Sequence, residues 1–288
     1  MFTSLNLGAL RIELPFGQAL ALAREAGFDG LDLPLDELLD LAERTSPREV
    51  AERFAAAGVR PGAWGLPVDF RADDVTFQSG LNRLPRYAAM ARDLGADRCA
   101  TWILPYSDRL DFDANMEMHA GRLRPICRVL AEHGCRLGIE FVGPATLRAG
   151  HAHQFIHTIG GALDLAQHIG TGNVGLLLDC FHWYTSHGTA EDLAGLHASD
   201  IIYVHVNDAS PGRDVDEQLD QERMLPGGSG LIDITTFLGA LSRMGYDGPV
   251  AVEPFNAEVN ALPPAERARA AALSLHQVYQ RAGLRSQN

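Results

Sequence analysis

Val174-Gly175-Leu176-Leu177-Leu178-Asp179 is an apolar run that ends in a carboxylate. Three further stretches have the same form: residues 137–140 (LGIE), 201–205 (IIYVH) and 250–253 (VAVE). A strand that is buried on both faces of a parallel sheet is apolar throughout. In a barrel of such strands, the active site lies at their C-terminal ends. The four stretches therefore predict four parallel strands whose last side chains meet at one site.

Strand-like and helix-like segments alternate along the whole chain. Predicted strands cover residues 4–8, 29–33, 59–65, 98–104, 136–142, 173–179, 200–206 and 249–254. Predicted helices cover residues 16–26, 46–57, 81–94, 115–133, 153–169, 190–196, 234–244 and 264–282. Eight strand–helix pairs without a break in composition indicate an α/β protein, a (β/α)₈ TIM barrel. Such a barrel typically takes about 250 residues, so residues 1–288 are predicted to form a single domain.

Three local features refine this prediction. Ser46 is the expected N-cap of the second helix, with Pro47 at the first helical position. Residues 207–233 form a long connection after the seventh strand, and loops of that length are uncommon unless functional. We expect this loop to form a partial lid over the substrate. The acidic run at residues 32–40 is interpreted as a solvated face.

Composition excludes several classes of function. The chain has 24 basic and 37 acidic residues, a net charge of −13, whereas nucleic-acid binders usually show a basic footprint. It contains no lysine, which excludes Schiff-base chemistry, covalent pyridoxal phosphate attachment and a Walker-type phosphate loop. No apolar run reaches the roughly 18–20 residues of a membrane span, and the N-terminus lacks signal-peptide zones. We expect a cytoplasmic location, with no nucleic-acid or membrane partner.

The side chains at the four strand ends suit one divalent metal ion. They are Glu140, Asp179, His205 and Glu253. Three carboxylates and an imidazole are compatible with Mn²⁺, Mg²⁺, Zn²⁺ or Co²⁺. Carboxylates gathered there without a cation would repel one another. Beside a polarised ketone, one carboxylate could remove a neighbouring C–H proton to give a cis-enediolate, and a second could return it. Return to the same carbon is epimerisation, and return to the adjacent carbon is isomerisation.

The residues around the four strand ends resemble a known family. Asp179-Cys180-Phe181-His182-Trp183, His205-Val206-Asn207-Asp208 and Glu253-Pro254-Phe255 are similar to motifs of the xylose isomerase-like TIM barrels, also called sugar phosphate isomerase/epimerase proteins. Within that group the chain most resembles ketose 3-epimerases and inosose isomerases.

The resemblance implies a role for each residue of the predicted site. It implies that the four strand-end residues bind the metal and that Glu140 and Glu253 act as the acid/base pair. It implies that His182 hydrogen-bonds a substrate oxygen. It also implies a substrate contact for Arg213 in the loop after the seventh strand, with Arg223 as the competitor for that role. A metal-dependent sugar or polyol isomerase or epimerase is therefore expected.

Two tryptophans fall near the ends of the third and fourth predicted strands, and one follows the sixth. Trp64, Trp102 and Trp183 are candidates for an apolar wall against a sugar ring, with core packing as the alternative for the first two. Trp183 is accordingly predicted to bind substrate.

Other functions remain open at this point. A lyase would use the same enolate but expel a leaving group, as in inosose dehydration or elimination from an oxidised glycoside. An endonuclease IV-type repair enzyme would share the barrel but hold three zinc ions with additional early histidines, and the first histidine here is His119. A sugar-binding barrel without activity is a further alternative. The sequence leaves the oligomeric state open, with a homodimer as a common arrangement.

Overall fold

The computed structural model describes residues 1–284, with parallel strands at the centre and helices outside. The strands are β1 (Phe2–Leu5), β2 (Gly30–Leu31), β3 (Arg60–Pro61), β4 (Trp64–Gly65), β5 (Arg98–Ile103), β6 (Tyr106–Ser107), β7 (Arg136–Phe141), β8 (His153–Gln154), β9 (Val174–Asp179), β10 (Ile201–Val206) and β11 (Pro249–Val252). The helices are α1 (Phe16–Ala26), α2 (Leu35–Arg44), α3 (Pro47–Ala57), α4 (Asp74–Asp93), α5 (Phe112–Glu132), α6 (Ala145–Arg148), α7 (Ile159–Ile169), α8 (Cys180–Thr185), α9 (Ala190–Ala194), α10 (Ile234–Arg243), α11 (Ala257–Ala261) and α12 (Pro264–Arg281).

The central sheet closes on itself. Its nine strands follow the order β3-β2-β1-β11-β10-β9-β7-β5-β4. The two end strands belong to one segment, because β3 pairs with β2 and β4 pairs with β5 on either side of Gly62 and Ala63. Within that interruption, the Gly62 N–H donates to the Leu31 carbonyl at 2.8 Å, and the Ala63 carbonyl accepts from Leu33 at 2.9 Å. Eight strand positions therefore surround one interior, and the predicted TIM barrel is confirmed.

The predicted boundaries of strands and helices differ from those of the structure mainly near the C-terminal ends of the barrel strands. The predicted helix at 153–169 begins only at Ile159, because β8 pairs antiparallel with β6 in a separate two-stranded sheet. Helix α2 is absent from the sequence prediction, because its first six residues fall within the acidic run at 32–40. The predicted cap of α3 is confirmed: the Ser46 hydroxyl accepts from the Glu49 N–H at 3.2 Å.

A layer of inward-facing side chains closes the barrel beneath its C-terminal mouth. This layer comprises Ala63, Ala100, Leu177, Tyr203 and Ala251, all buried. Three alanines leave interior space that larger side chains would fill, since barrels of this size are normally packed solid with bulky residues. The Tyr203 hydroxyl crosses this space from β10 to Asp32, just after β2. The small side chains thus create room for a cavity at the active-site end.

Within residues 1–284, no helix combines the length and the apolar character needed to cross a bilayer.

Candidate metal centre and active site

The four strand-end side chains converge at the C-terminal end of the barrel. One ligand atom from each of Glu140, Asp179, His205 and Glu253 lies within 4.8 Å of the other three. His205 Nδ1 is the centre of the group, at 3.4 Å from Glu140 Oε1, 3.5 Å from Glu253 Oε2 and 3.9 Å from Asp179 Oδ2. Parallel register produces this convergence, because His205 on β10 pairs directly with Asp179 on β9. The structure thus brings together all four residues that the sequence placed at one site.

The donor atoms of this quartet fit a divalent cation. Among the described residues, Glu140 Oε1 and both ring nitrogens of His205 are buried without a hydrogen-bond partner. Buried polar atoms without partners are rare and costly, so each calls for an explanation such as an ion. Carboxylate oxygens and an imidazole nitrogen are ligands for Mn²⁺, Mg²⁺, Co²⁺ and Zn²⁺. The quartet therefore has the chemistry and the unsatisfied atoms that a single metal ion requires.

Arg223 has a larger role in this site than the sequence predicts. It is almost fully buried, and its Nη1 donates to Asp179 Oδ2 and to Glu253 Oε2, both at 2.9 Å. Its Nη2 donates to Asp220 Oδ1 at 2.7 Å. The guanidinium carbon lies 4.6 Å from the ring centroid of Phe181 and 4.6 Å from that of Phe255. The aromatic rings exclude water from a fixed cation that binds two carboxylates of the quartet.

The path of the long loop explains how Arg223 reaches the site. Asp208, immediately after the seventh barrel strand, exchanges backbone hydrogen bonds with Met224 at 2.9 and 2.8 Å. Its carboxylate accepts from the backbone N–H groups of Ser229, Gly230 and Ile232 at 2.7–3.1 Å. These bonds fold the loop back against the barrel and fix Arg223 beside the quartet. The motif His205-Val206-Asn207-Asp208 includes Asp208, but the sequence does not predict that its carboxylate binds the backbone of the loop.

The two predicted acid/base carboxylates have different electrostatic environments. Burial raises the pKa of Glu140 above its ordinary value. Burial acts in the same direction on Glu253, but His205 and Arg223 outweigh it and lower the pKa of Glu253 to about 2. Burial lowers the pKa of His205, but the carboxylates of Glu253 and Glu140 outweigh it and raise that pKa well above its usual value. In the protein without metal, Glu253 is ionised and His205 supplies a compensating positive charge.

His182 lies beside Arg223 with a defined ring orientation. Its Nδ1 accepts a hydrogen bond from the Gly143 N–H at 3.2 Å. Nε2 lies 3.3 Å from Arg223 Nη2 and 3.8 Å from Asp220 Oδ1. Gly143 permits this approach, because a Cβ there would lie 2.4 Å from the His182 carbonyl oxygen. Nε2 thus faces Arg223 and Asp220, and His182 does not line the cavity beside the quartet, so its contact to a substrate oxygen stays a prediction.

Two other predicted substrate residues lie away from the quartet. Arg213 forms an ion pair with Glu222 at 2.6 Å in a partly exposed part of the loop. Trp183 is buried, donates from Nε1 to the Thr189 carbonyl at 3.2 Å, and packs 5.7 Å from the Phe237 ring centroid. Neither residue lines the cavity beside the quartet. Their assignments as substrate-binding residues stay predictions, without support from their positions.

A cavity of about 320 Å³ opens beside the quartet. Glu140, His205 and Glu253 form part of its wall, and Trp64 and Trp102 form another part. Trp64 is buried, whereas Trp102 is about half exposed, with the Arg71 guanidinium 4.3 Å from its ring centroid. The volume and the aromatic surface suit a small ring or a short polyol chain. Both tryptophans line the cavity, and their contact with a substrate stays a prediction.

The interpretation of residues 32–40 as a solvated face is wrong for Asp32, the first residue of the run. Asp32 lines the cavity, where it accepts hydrogen bonds from Ser4 Oγ at 2.6 Å and the Ala63 N–H at 3.1 Å. Further along the run, Glu37 accepts from the backbone N–H of Phe16 at 2.8 Å. The sequence did contain a signal, because Asp32 directly follows the short apolar strand β2, just as each quartet residue lies at or next to the end of its own strand.

The fold and the site together are those of a TIM barrel with a possible metal site at its C-terminal end. Comparison of the sequence with known families identifies the family. Residues 20–278 match the family described as Xylose isomerase-like TIM barrel. The chain therefore belongs to the xylose isomerase-like TIM barrel family, as the motifs around the quartet predicted.

Three relatives indicate the range of activities in this family. An inosose isomerase of Bacillus velezensis is 25% identical over 256 residues, 88% of each chain. A ketose 3-epimerase of Arthrobacter globiformis is 26% identical over 238 residues, 83% of this chain and 77% of that protein. A 3-dehydroshikimate dehydratase of Pseudomonas aeruginosa is 30% identical over 240 residues, 83% of this chain but 36% of that longer protein. The family thus includes isomerases, epimerases and a dehydratase.

Solved structures show the same fold over nearly the whole chain. A xylose isomerase domain protein from Alicyclobacillus acidocaldarius superposes with a TM-score of 0.86 and 30% identity, covering 98% of this chain and 99% of that one. An IolI protein with a bound zinc atom superposes with a TM-score of 0.79 and 21% identity, with the same coverage.

Proposed function

We propose that this protein is a divalent-metal-dependent isomerase or epimerase of sugars or polyols. One observation supports this most directly: Glu140 and Glu253 approach the same imidazole, at 3.4 and 3.5 Å, from different barrel strand ends beside one cavity. Two carboxylates at one cavity are suited to remove a proton and return one. The relatives named inosose isomerase and ketose 3-epimerase support the same reaction class.

The residues of the quartet would hold the ion, and the protein would supply the proton transfer. A bound divalent metal polarises a ketone and makes the adjacent C–H more acidic. Arg223 occupies Glu253 Oε2 and keeps this carboxylate ionised, which leaves Oε1 to remove the proton. Glu140, the other carboxylate of the pair, would return a proton through the carboxylate oxygen that the ion leaves free. His182, which lies 3.3 Å from Arg223 at Nε2, is kept as a proposed contact to a substrate oxygen.

The position of proton return decides the product. Return to the original carbon from the opposite face inverts that centre, and return to the neighbouring carbon moves the carbonyl. Both outcomes use the same two carboxylates, so the proposal covers both. We also propose that residues 1–288 act as one domain on a small molecule in the cytoplasm, with a homodimer as the expected assembly.

A lyase is the second candidate, and one relative favours it. The 3-dehydroshikimate dehydratase is the relative with the highest identity among the three described above. Dehydration also begins with proton removal next to a carbonyl, so Glu253 would serve as the base in both cases. A nuclease has less support. Within residues 1–284, only one four-residue group of metal-ligand side chains occurs, fewer than a three-zinc site needs.

The test is solvent isotope exchange with a panel of ketoses and inososes in D₂O. With Mn²⁺, Co²⁺ or Zn²⁺ restored to metal-free protein, deuterium should enter the recovered substrate or product at a carbon beside the carbonyl. Glu140→Gln and Glu253→Gln should each reduce this exchange by at least 10²-fold. Glu52→Gln, an exposed carboxylate paired with Arg48, is the matched control and should exchange normally. Loss of water would instead identify a lyase, and full exchange without metal would contradict the proposal.

A further inference from the structure

Asp32 occupies the wall of the cavity opposite the metal centre. It follows β2, which lies four strand positions around the barrel from β9 and its Asp179. The cavity includes both Asp32 and the quartet residues Glu140, His205 and Glu253. A molecule that reaches from the quartet across the barrel therefore meets Asp32 at its far end. The proton-transfer mechanism gives this carboxylate no task.

The hydrogen bonds to the Asp32 carboxylate fix its position but leave one acceptor position free. Oδ1 accepts from Ser4 and from the Ala63 N–H, and Oδ2 accepts from the Tyr203 hydroxyl. Each carboxylate oxygen offers about two acceptor positions, so Oδ2 retains one. Gly62 allows this packing, because a Cβ there would lie 2.4 Å from Asp32 Oδ1. The result is a preorganised acceptor at the cavity wall.

Asn6 supplies a donor beside this acceptor. Its Nδ2 donates one hydrogen to the Tyr203 hydroxyl at 3.3 Å, and its Oδ1 accepts from the Ala9 N–H at 2.9 Å. The second hydrogen on Nδ2 has no partner among the described residues, and Asn6 also lines the cavity. A hydroxyl group both donates and accepts, so an acceptor and a donor side by side match it.

The charge of the cavity opposes an anion at this end. Asp32, Glu140 and Glu253 are acidic, and none of the described residues that line the cavity is an arginine. The chain has no lysine at all. A phosphate or carboxylate beside Asp32 would meet a like charge at low dielectric, which is unfavourable. Arg223 is bound to Asp179 and Glu253, and Arg71 packs on Trp102 of the cavity wall without lining the cavity itself.

We propose that Asp32, with Asn6 beside it, is a specificity-determining subsite that binds a hydroxyl at the end of the substrate remote from the metal and excludes phosphorylated or carboxylated substrates. This inference rests on the proposed function in placing the reacting carbonyl at the quartet. It narrows the substrate class to neutral polyols, ketoses and cyclitol ketones. It also separates this protein from a dehydratase whose substrate contains a carboxylate.

The experiment is calorimetric binding of D-fructose and D-fructose 6-phosphate to the metal-loaded protein. The two probes differ only in the phosphate, which lies at the end of fructose 6-phosphate remote from the carbonyl. The wild type should bind fructose at least tenfold more tightly than its phosphate. Asp32→Asn should weaken fructose binding about tenfold, because a hydrogen bond to a charged acceptor is lost, and should bring the two affinities within about threefold of each other.

Two variants separate charge from structure. Tyr203→Phe breaks the same hydrogen-bond network but keeps the Asp32 carboxylate, so it should still discriminate against the phosphate. Asp29→Asn is the matched structural control. Asp29 is buried beside β2 and accepts from the Thr3 N–H and hydroxyl, both at 2.9 Å, away from the cavity. It should leave both affinities unchanged. Asn6→Ala should weaken fructose binding about threefold and provides a second test if Asp32→Asn does not fold.

The outcomes distinguish this inference from the proposed function. Equal binding of both sugars by the wild type, or binding of neither, would overturn the subsite. Unchanged affinities in Asp32→Asn would do the same even if isotope exchange proceeds normally. Selective fructose binding without isotope exchange on any ketose would keep the subsite and contradict the proposed isomerase.

Discussion

Arg223 Nη1 lies 2.9 Å from Glu253 Oε2, so a buried fixed cation is bonded to a carboxylate proposed to move protons. Burial lowers the pKa of Arg223, but Asp179 and Glu253 outweigh it and raise that pKa above its usual value, so the guanidinium stays charged. One oxygen of Glu253 is thereby fixed in place, and the other is left for chemistry. The four strand-end residues carry more negative than positive charge. The loop after the seventh barrel strand supplies Arg223, whose positive charge offsets part of that excess.

Arg223→Ala is expected to destabilise the metal-free protein by about 3–5 kcal/mol, because it leaves Asp179 and Glu253 buried without their cation. Chemical unfolding at pH 7 measures this loss. Arg48→Ala removes an exposed arginine paired with Glu52 and should change stability by less than about 0.5 kcal/mol. Equal stability of the two variants would show that the buried pair is energetically unimportant.

The two loop arginines should differ in their effects on catalysis. Arg223→Gln is expected to lower kcat/KM at least 10²-fold and to raise the pKa of Glu253, because a lowering charge is removed. The acid limb of the kcat/KM–pH profile should therefore move to higher pH. Arg213→Gln removes a partly exposed partner of Glu222 and should have a much smaller effect. A larger loss for Arg213→Gln would restore the sequence-based assignment of Arg213 as the substrate contact.

The sequence predicted the barrel and the quartet because both depend on local pattern. Each of Glu140, Asp179, His205 and Glu253 lies within the last two positions of an apolar strand or directly after it, and the ends of parallel strands share one face. Asp32 gave the same signal more weakly, because β2 is only two residues long and the acidic helix α2 begins soon after it. An acidic neighbourhood was therefore mistaken for a solvated surface.

Two assignments depended on features that local pattern cannot supply. The role of Arg223 depends on how Asp208 folds the loop back, through hydrogen bonds to residues 16 to 24 positions further along the chain. Trp183 directly follows His182, but successive residues in a helix point about 100° apart. His182 therefore faces Arg223 while Trp183 packs against Phe237.

Metal affinity should fall as the pH falls. The pKa values of His205 and Glu140 are raised in the metal-free protein, and both groups must lose their protons to bind an ion. Affinity should decrease about tenfold per pH unit for each proton displaced. Competition with a chromophoric zinc chelator at pH 6, 7 and 8 measures the slope. Glu140→Gln should reduce the slope, since one proton is no longer displaced. A pH-independent affinity in the wild type would contradict this electrostatic account.

Gly143→Ala tests whether backbone packing positions His182. The added Cβ would lie 2.4 Å from the His182 carbonyl oxygen and 2.5 Å from Thr185 Oγ1, so helix α8 must shift. We expect a loss of about 1–3 kcal/mol in stability and a lower kcat, because the Gly143 N–H no longer orients the His182 ring. Gly121→Ala, on an open face of α5, should instead stabilise the protein by about 0.5–1 kcal/mol and leave kcat unchanged. A normal kcat in a folded Gly143→Ala protein would show that the orientation of His182 does not limit the reaction.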